Sequence, residues 1–320
     1  MKTYYLMRIA ALLARLVPPR IAYWLCSLVG GIVFWLSPNI REAVMDNFSH
    51  VLPKATLRAR RKLARQTVRN VAKNYYDVLR LPGMAKRDLD RTITIYGMEH
   101  IDDALAKGKG VILTGGHIGN FSIVAQMAAA RGYTMSIIAE DIEPQKLYNF
   151  INSLRARFGL RMIKLGSAEV RTIYRLLRNN EGLMLAADRD VNDDGVPTIF
   201  FDALAAMPPG PVALALRMGT PFLPVYTYRK PDNTSVAYVS PPMEFVRTGD
   251  RDLDLKVNMR KIAEVLEEQI TKNPSQWVVL QKIWDKQYTV KETTIASESP
   301  DIPSLELIPT PELTGVGRKA

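Results

Sequence analysis

The chain has 320 residues, 47% hydrophobic and 23% charged, with one cysteine, three histidines and a formal net charge of +11. That length and apolar content support a large α/β core, in one domain with appendages or in two small domains. The single Cys26 excludes an intrachain disulfide and reads as a small packed hydrophobe, and so few histidines and thiols show no metal-ligand cluster.

The charge is concentrated at the start. Residues 1–87 hold 16 Lys and Arg against 3 acids, a cation suited to the phosphates of anionic lipid or of nucleic acid. Within it, YYLMRIAALLARLV places Arg8 and Arg15 seven apart on one face of an otherwise apolar helix. Residues 21–37, IAYWLCSLVGGIVFWLS, form an uncharged run of 17 flanked by Arg20 and Arg41. This run sits at the short limit for a membrane span and equally suits a segment lying in the interface. A buried core helix fits the same periodicity, but the cationic face beside an aromatic apolar run favours membrane attachment. A cleaved signal peptide is disfavoured, because no clear small-x-small cleavage site appears and the run leads into Pro38. Residues 42–81 are expected to form one long helix, with Leu63, Val71, Tyr75, Val78 and Leu79 on its apolar face. Arg58, Arg61, Arg65, Arg69 and Lys73 fall opposite, on a face able to lie on an acidic surface.

From about residue 92 short apolar runs alternate with amphipathic helices. TITIYG, GVILTGG, MSIIAE, RMIKL, LMLAAD, PFLPVYTYRK and SVAYVSPPMEF read as strands, with helices between most of them, a loop after LMLAAD and a last helix at 255–273. Strands separated by helices of ten or more residues predict βαβ units and a mostly parallel sheet. Residues 287–320, rich in Pro, Ser, Thr and Glu and without an aromatic after Tyr288, are expected to be a disordered tail. The expected organisation is a membrane-associating helical region over 1–90, an α/β domain over 91–286 and the tail.

In open parallel sheets ligands gather beyond the carboxyl ends of the strands. His117 falls there, after VILTG, with Gly115, Gly116 and Gly119 around it. LMLAAD ends in Asp188, followed by Arg189. If the two strands are close, a carboxylate stands beside the imidazole, fixing its tautomer and stabilising the imidazolium, as a general base requires. On position alone, His117 fits a capping or turn histidine as well, and Asp188 and Asp190 fit turn side chains. GGHIGN has the wrong spacing for a dinucleotide fingerprint.

Three blocks, GKGVILTGGHIGNFS, LMLAADRDVNDDGVPTIFFDALAAMPPGPVALALRMGTPFLPV and PSQWVVLQKIWD, resemble successive segments of the bacterial lysophospholipid acyltransferase superfamily. The similarity runs from about residue 20 to 286 and is greatest to the lipid A biosynthesis lauroyl/myristoyl acyltransferases and the phosphatidylinositol mannoside acyltransferases. It implies acyl transfer from acyl-CoA or acyl carrier protein to a hydroxyl of a glycolipid or phospholipid, with His117 as base and no cofactor or metal. The family's hallmark is a histidine, four residues, then Asp or Glu; here the acid's position is Ser122. The acid is therefore sought at Asp188, which the strand-end argument reaches independently. Ser122 has no nucleophile elbow around it and reads as a first-turn helix residue. Arg155 and Arg189 match positions where the family commonly keeps basic residues, and are assigned to phosphates of donor or acceptor; Asn120 and Ser122 are placed with the substrate. A monomer on the cytoplasmic membrane face is expected. The departure at Ser122 keeps open a non-catalytic relative that binds lipid or acyl chains. Nucleic-acid binding is disfavoured, since the cationic stretch adjoins an apolar aromatic run and no nucleic-acid module appears.

Overall fold

The computed structural model describes residues 2–140, 142–164 and 169–285; the tail expected over 287–320 lies outside them. Four helices lead the chain: α1 (Lys2–Leu16), α2 (Pro19–Leu36), α3 (Pro38–Val51) and α4 (Leu57–Arg80). The long helix expected over 42–81 is thus two. Pro53 falls in the break, where its missing N–H and fixed φ oppose continuation, and Thr56 restarts the helix by accepting the Ala59 N–H at its Oγ1, a cap contributing about 1 kcal/mol. The buried side of α4 is Ala64, Thr67, Val68, Tyr76, Val78 and Leu79, whereas Tyr75 is half exposed.

After α5 (Lys86–Thr92) come β1 (Ile93–Tyr96), α6 (Glu99–Leu105), β2 (Val111–Gly115), α7 (Phe121–Ala130) and β3 (Met135–Ala139). Then follow α8 (Gln145–Arg155), β4 (Arg161–Lys164), α9 (Val170–Arg178) and β5 (Gly182–Ala186). The segment expected as a loop after LMLAAD contains a hairpin, β6 (Val196–Phe200) and β7 (Ala203–Met207), before α10 (Gly210–Met218), β8 (Phe222–Arg229), β9 (Ser235–Val239) and α11 (Arg251–Lys272). The hairpin turns at Phe201 and Asp202, both with positive φ. That conformation suits a two-residue turn but is unusual without Asn or Gly, which is why no turn signal was visible in the sequence.

Seven strands form one sheet in the order β1-β9-β8-β2-β5-β3-β4. The five from β8 to β4 are parallel; β9 runs antiparallel to β8, and β1 is parallel to β9. The α/β architecture with a mostly parallel sheet flanked by helices is therefore as expected. Side chains alternate between two cores. Val111, Leu113, Met184 and Leu223 face the core shared with α7, while Ile112, Leu183 and Phe222 face the one shared with α9, α10 and α11. The N-terminal helices enter both, through Tyr23, Tyr76 and Leu79 on one side and Phe34, Phe48 and Val68 on the other.

Candidate active site

Strands β2 and β5 are neighbours in register, with Gly115 opposite Ala186. Each chain then continues two residues past that rung, to His117 and to Asp188. The imidazole Nδ1 donates to Asp188 Oδ1 at 2.7 Å. Asp188 Oδ2 accepts the His117 backbone N–H at 2.7 Å and the Trp277 indole N–H at 2.8 Å. The carboxylate is fully buried, and the imidazole keeps 22% of its surface exposed. Burial alone pushes the Asp188 carboxyl up, but the facing imidazole and the hydrogen bonds from His117 and Trp277 outweigh it and hold the group below the usual carboxylate range. With an ionised acceptor at Nδ1, the proton resides on that nitrogen and leaves the Nε2 lone pair free. Phe121 stands edge-on to the imidazole at 4.7 Å and restricts its rotation.

The glycines allow this approach. A Cβ on Gly116 would stand 3.0 Å from Asp188 Oδ2. Gly119 has φ +59°, and a Cβ there would meet the Thr227 carbonyl oxygen at 2.4 Å. The loop is clamped from every side. Thr227 Oγ1 donates to the Ile118 carbonyl, Asn74 Nδ2 to the Gly119 carbonyl, the Gly119 N–H to the Gln276 carbonyl, and the Val278 N–H to the His117 carbonyl. Three segments distant in sequence, α4, β8 and residues 276–278, thereby fix one turn.

His117 opens into a cavity of about 390 Å³, within the usual range for small-molecule sites. Val71 and Val78 of α4, Ile138, Leu185, Val278 and Leu280 give it apolar walls. Arg155, Arg189, Asn120 and Ser122 also line it, so five of the six residues singled out in the sequence surround one space, and the sixth, Asp188, is buried behind His117. Ser122 lies in the first turn of α7, with a buried hydroxyl that has no hydrogen-bond partner among the described residues. Asn120 is engaged elsewhere: its Nδ2 donates to Asp77 Oδ2 at 2.7 Å. Arg189 pairs with Glu140. Arg155, at the end of α8, has its Nε buried without a partner, and burial draws its guanidinium below the usual range.

Two groups of residues at the site were not read from the sequence. Trp277 lies in the quoted block PSQWVVLQKIWD but had no assigned role; a buried indole is informative because its N–H requires an acceptor. The other is Asp77, which accepts from the Tyr23 hydroxyl, Asn120 and Arg229 and pairs with Arg80. It ties α2, α4 and β8 to the loop that follows His117. A lone acid on a helix crowded with arginines was the available signal.

A family model described as "Bacterial lipid A biosynthesis acyltransferase" matches residues 1–286. The chain is 27% identical over 248 residues to a phosphatidylinositol mannoside acyltransferase of Mycobacterium tuberculosis (strain CDC 1551 / Oshkosh), covering 76% of this chain and 77% of that protein. It is 25% identical over 246 residues to the Mycolicibacterium smegmatis protein of the same name, covering 76% and 79%. The chain belongs to the bacterial lipid A biosynthesis acyltransferase family and is an acyltransferase of lipid biosynthesis.

Proposed function

We propose that the protein moves a fatty acyl chain from an acyl thioester, acyl-CoA or acyl carrier protein, to a hydroxyl of a glycolipid or phospholipid, with His117 as general base. The observation that carries this is the imidazole fixed at Nδ1 by a buried carboxylate while its other edge faces an apolar cavity. Nε2 removes the acceptor's hydroxyl proton as the oxygen attacks the thioester carbonyl. Collapse of the tetrahedral intermediate expels the thiolate, which takes that proton back from the imidazolium. Asp188 stabilises the imidazolium and does not itself exchange a proton. Backbone N–H groups at the start of α7, the unpartnered Ser122 hydroxyl or the Arg189 guanidinium serve the developing oxyanion, each such donor lowering the barrier by about 3 kcal/mol. Arg155, a mostly buried cation aimed at the same cavity, takes a phosphate of donor or acceptor.

In this reading the enzyme acts as a monomer with no cofactor, docked on the cytoplasmic membrane face through α1 and α2. Leu6, Leu12, Leu16, Trp24, Leu28 and Trp35 of these helices are exposed, and exposed large apolar side chains on consecutive helices suit a membrane surface. Helix α2 is long and apolar enough to cross a membrane. However, α2 packs along α4, whose Arg58, Arg61, Arg65, Arg69 and Lys73 would then enter hydrocarbon at about 2.5–3.5 kcal/mol each. Monotopic docking avoids that.

The test is transfer of radiolabelled palmitoyl from palmitoyl-CoA, and in parallel from acyl carrier protein, to a mixed lipid extract by the detergent-solubilised protein. Label is expected in a lipid with wild type and not with His117→Ala. Equal transfer by both would refute the assignment of the base.

A further inference from the structure

Helices α2 and α4 cross at Gly30 and Gly31, and the two glycines differ in what they admit. A Cβ on Gly30 would stand 2.6 Å from Arg69 Cα and 2.8 Å from the Val68 carbonyl oxygen, so Gly30 is required by the backbone crossing itself. Gly31 is not so required. Its Cβ would meet only side chains, at ordinary contact distance: Arg65 Nη2 at 3.4 Å, and Arg65 Nε and Arg69 Nε at 3.5 Å each. The missing side chain leaves a notch in α2 that the two guanidinium groups, converging from successive turns of α4, cover, so that Gly31 itself is buried.

These two cations are not neutralised. Among the described residues neither has a carboxylate partner, and Arg69 Nε is buried with no hydrogen-bond partner at all. Burial and the neighbouring Arg65 charge both draw the Arg69 guanidinium below its usual range. Like charges at i and i+4 repel, and an anion bridging both forks relieves the repulsion with charge-assisted bonds.

The surroundings identify the anion's source. On α2, Leu28 and Trp35 lie three residues before and four after Gly31, on the same ridge, and are 48% and 52% exposed. Tryptophan side chains concentrate at the headgroup level of a bilayer, which is also the depth of its phosphates. A cationic notch on that ridge therefore stands at phosphate depth when the ridge docks.

We propose that Arg65 and Arg69, meeting over Gly31, form a specific site for the phosphate of an anionic membrane lipid. This rests on the membrane docking proposed above, and places one lipid headgroup outside the catalytic cavity, where it orients α4 and hence the wall formed by Val71 and Val78. The site is distinct from the diffuse attraction of the other α4 cations, since Arg58 and Arg61 have no such notch.

Flotation with vesicles of phosphatidylcholine alone and of phosphatidylcholine with phosphatidylglycerol tests it on the full chain. Arg65→Gln/Arg69→Gln is compared with the charge-matched pair Arg58→Gln/Arg61→Gln and with Gly31→Leu, which fills the notch and keeps every charge. Preference for the anionic vesicles is expected to fall at least tenfold further in Arg65→Gln/Arg69→Gln than in the control pair, and to fall in Gly31→Leu as well. Binding to neutral vesicles should be retained by all three, and thermal unfolding scans check that each is folded. Equal losses in the two charge pairs, or an unaffected Gly31→Leu, would overturn the site while leaving membrane docking intact. Failure of wild type to bind either vesicle would overturn both.

Discussion

Asp188→Asn changes one atom's hydrogen-bonding character and almost no volume, and the structure determines how the amide must sit. Oδ2 of Asp188 faces two N–H donors, the His117 backbone at 2.7 Å and the Trp277 indole at 2.8 Å. Neither can reverse, so an asparagine keeps its carbonyl oxygen there and turns its NH₂ group to His117 Nδ1. The imidazole then has to accept at Nδ1, which moves its proton to Nε2, the atom that faces the substrate. A base that already holds a proton cannot take another. In a serine-protease triad the same tautomer error lowers turnover about 10⁴-fold, and a loss of about 10³–10⁴-fold is expected here. The fold keeps all three bonds to the group, but each loses its charge assistance, so stability falls by about 2–4 kcal/mol. Initial rates of palmitoyl transfer, beside a thermal unfolding scan, measure both. A folded variant transferring within about tenfold of wild type would refute the tautomer argument.

Trp277→Phe removes the indole N–H from the same oxygen while keeping an aromatic ring against Phe200 and Trp284. The loss of one bond to a buried carboxylate should destabilise by about 1.5–3 kcal/mol and lower transfer about 10-fold or more, as loss of an orienting partner does elsewhere. A rate equal to wild type in the folded variant would remove Trp277 from the site. For pH, the sign follows from Asp188 lying below its ordinary value in the fold. Its contribution is whole above about pH 3.9 and is lost as the pH falls through the lowered folded value. Urea midpoints should therefore drop more steeply on acidification for wild type than for Asp188→Asn, and parallel curves would contradict it.

The linear sequence determined a good deal of this protein. Strands such as VILTG and GLMLA are nearly continuous apolar runs because most of their residues are buried on either face, and that pattern is local. The placement of His117 beyond a strand's carboxyl end followed from the same texture, as did the cationic and apolar character of the first ninety residues. Helix boundaries around Pro53 and the Phe201–Asp202 turn were less legible, since each depends on one backbone conformation rather than on a repeated pattern. What only tertiary structure decided was proximity. That Asp188 meets His117 depends on β2 and β5 being neighbours in register, although β3 and β4 lie between them in the chain. That Trp277 completes the carboxylate's shell, and that Asn120 is committed to Asp77, depend on segments more than forty residues away. Periodicity records which face of an element is buried, because burial acts on each residue separately. It does not record which element covers that face, because strand order is set by the packing of the whole sheet.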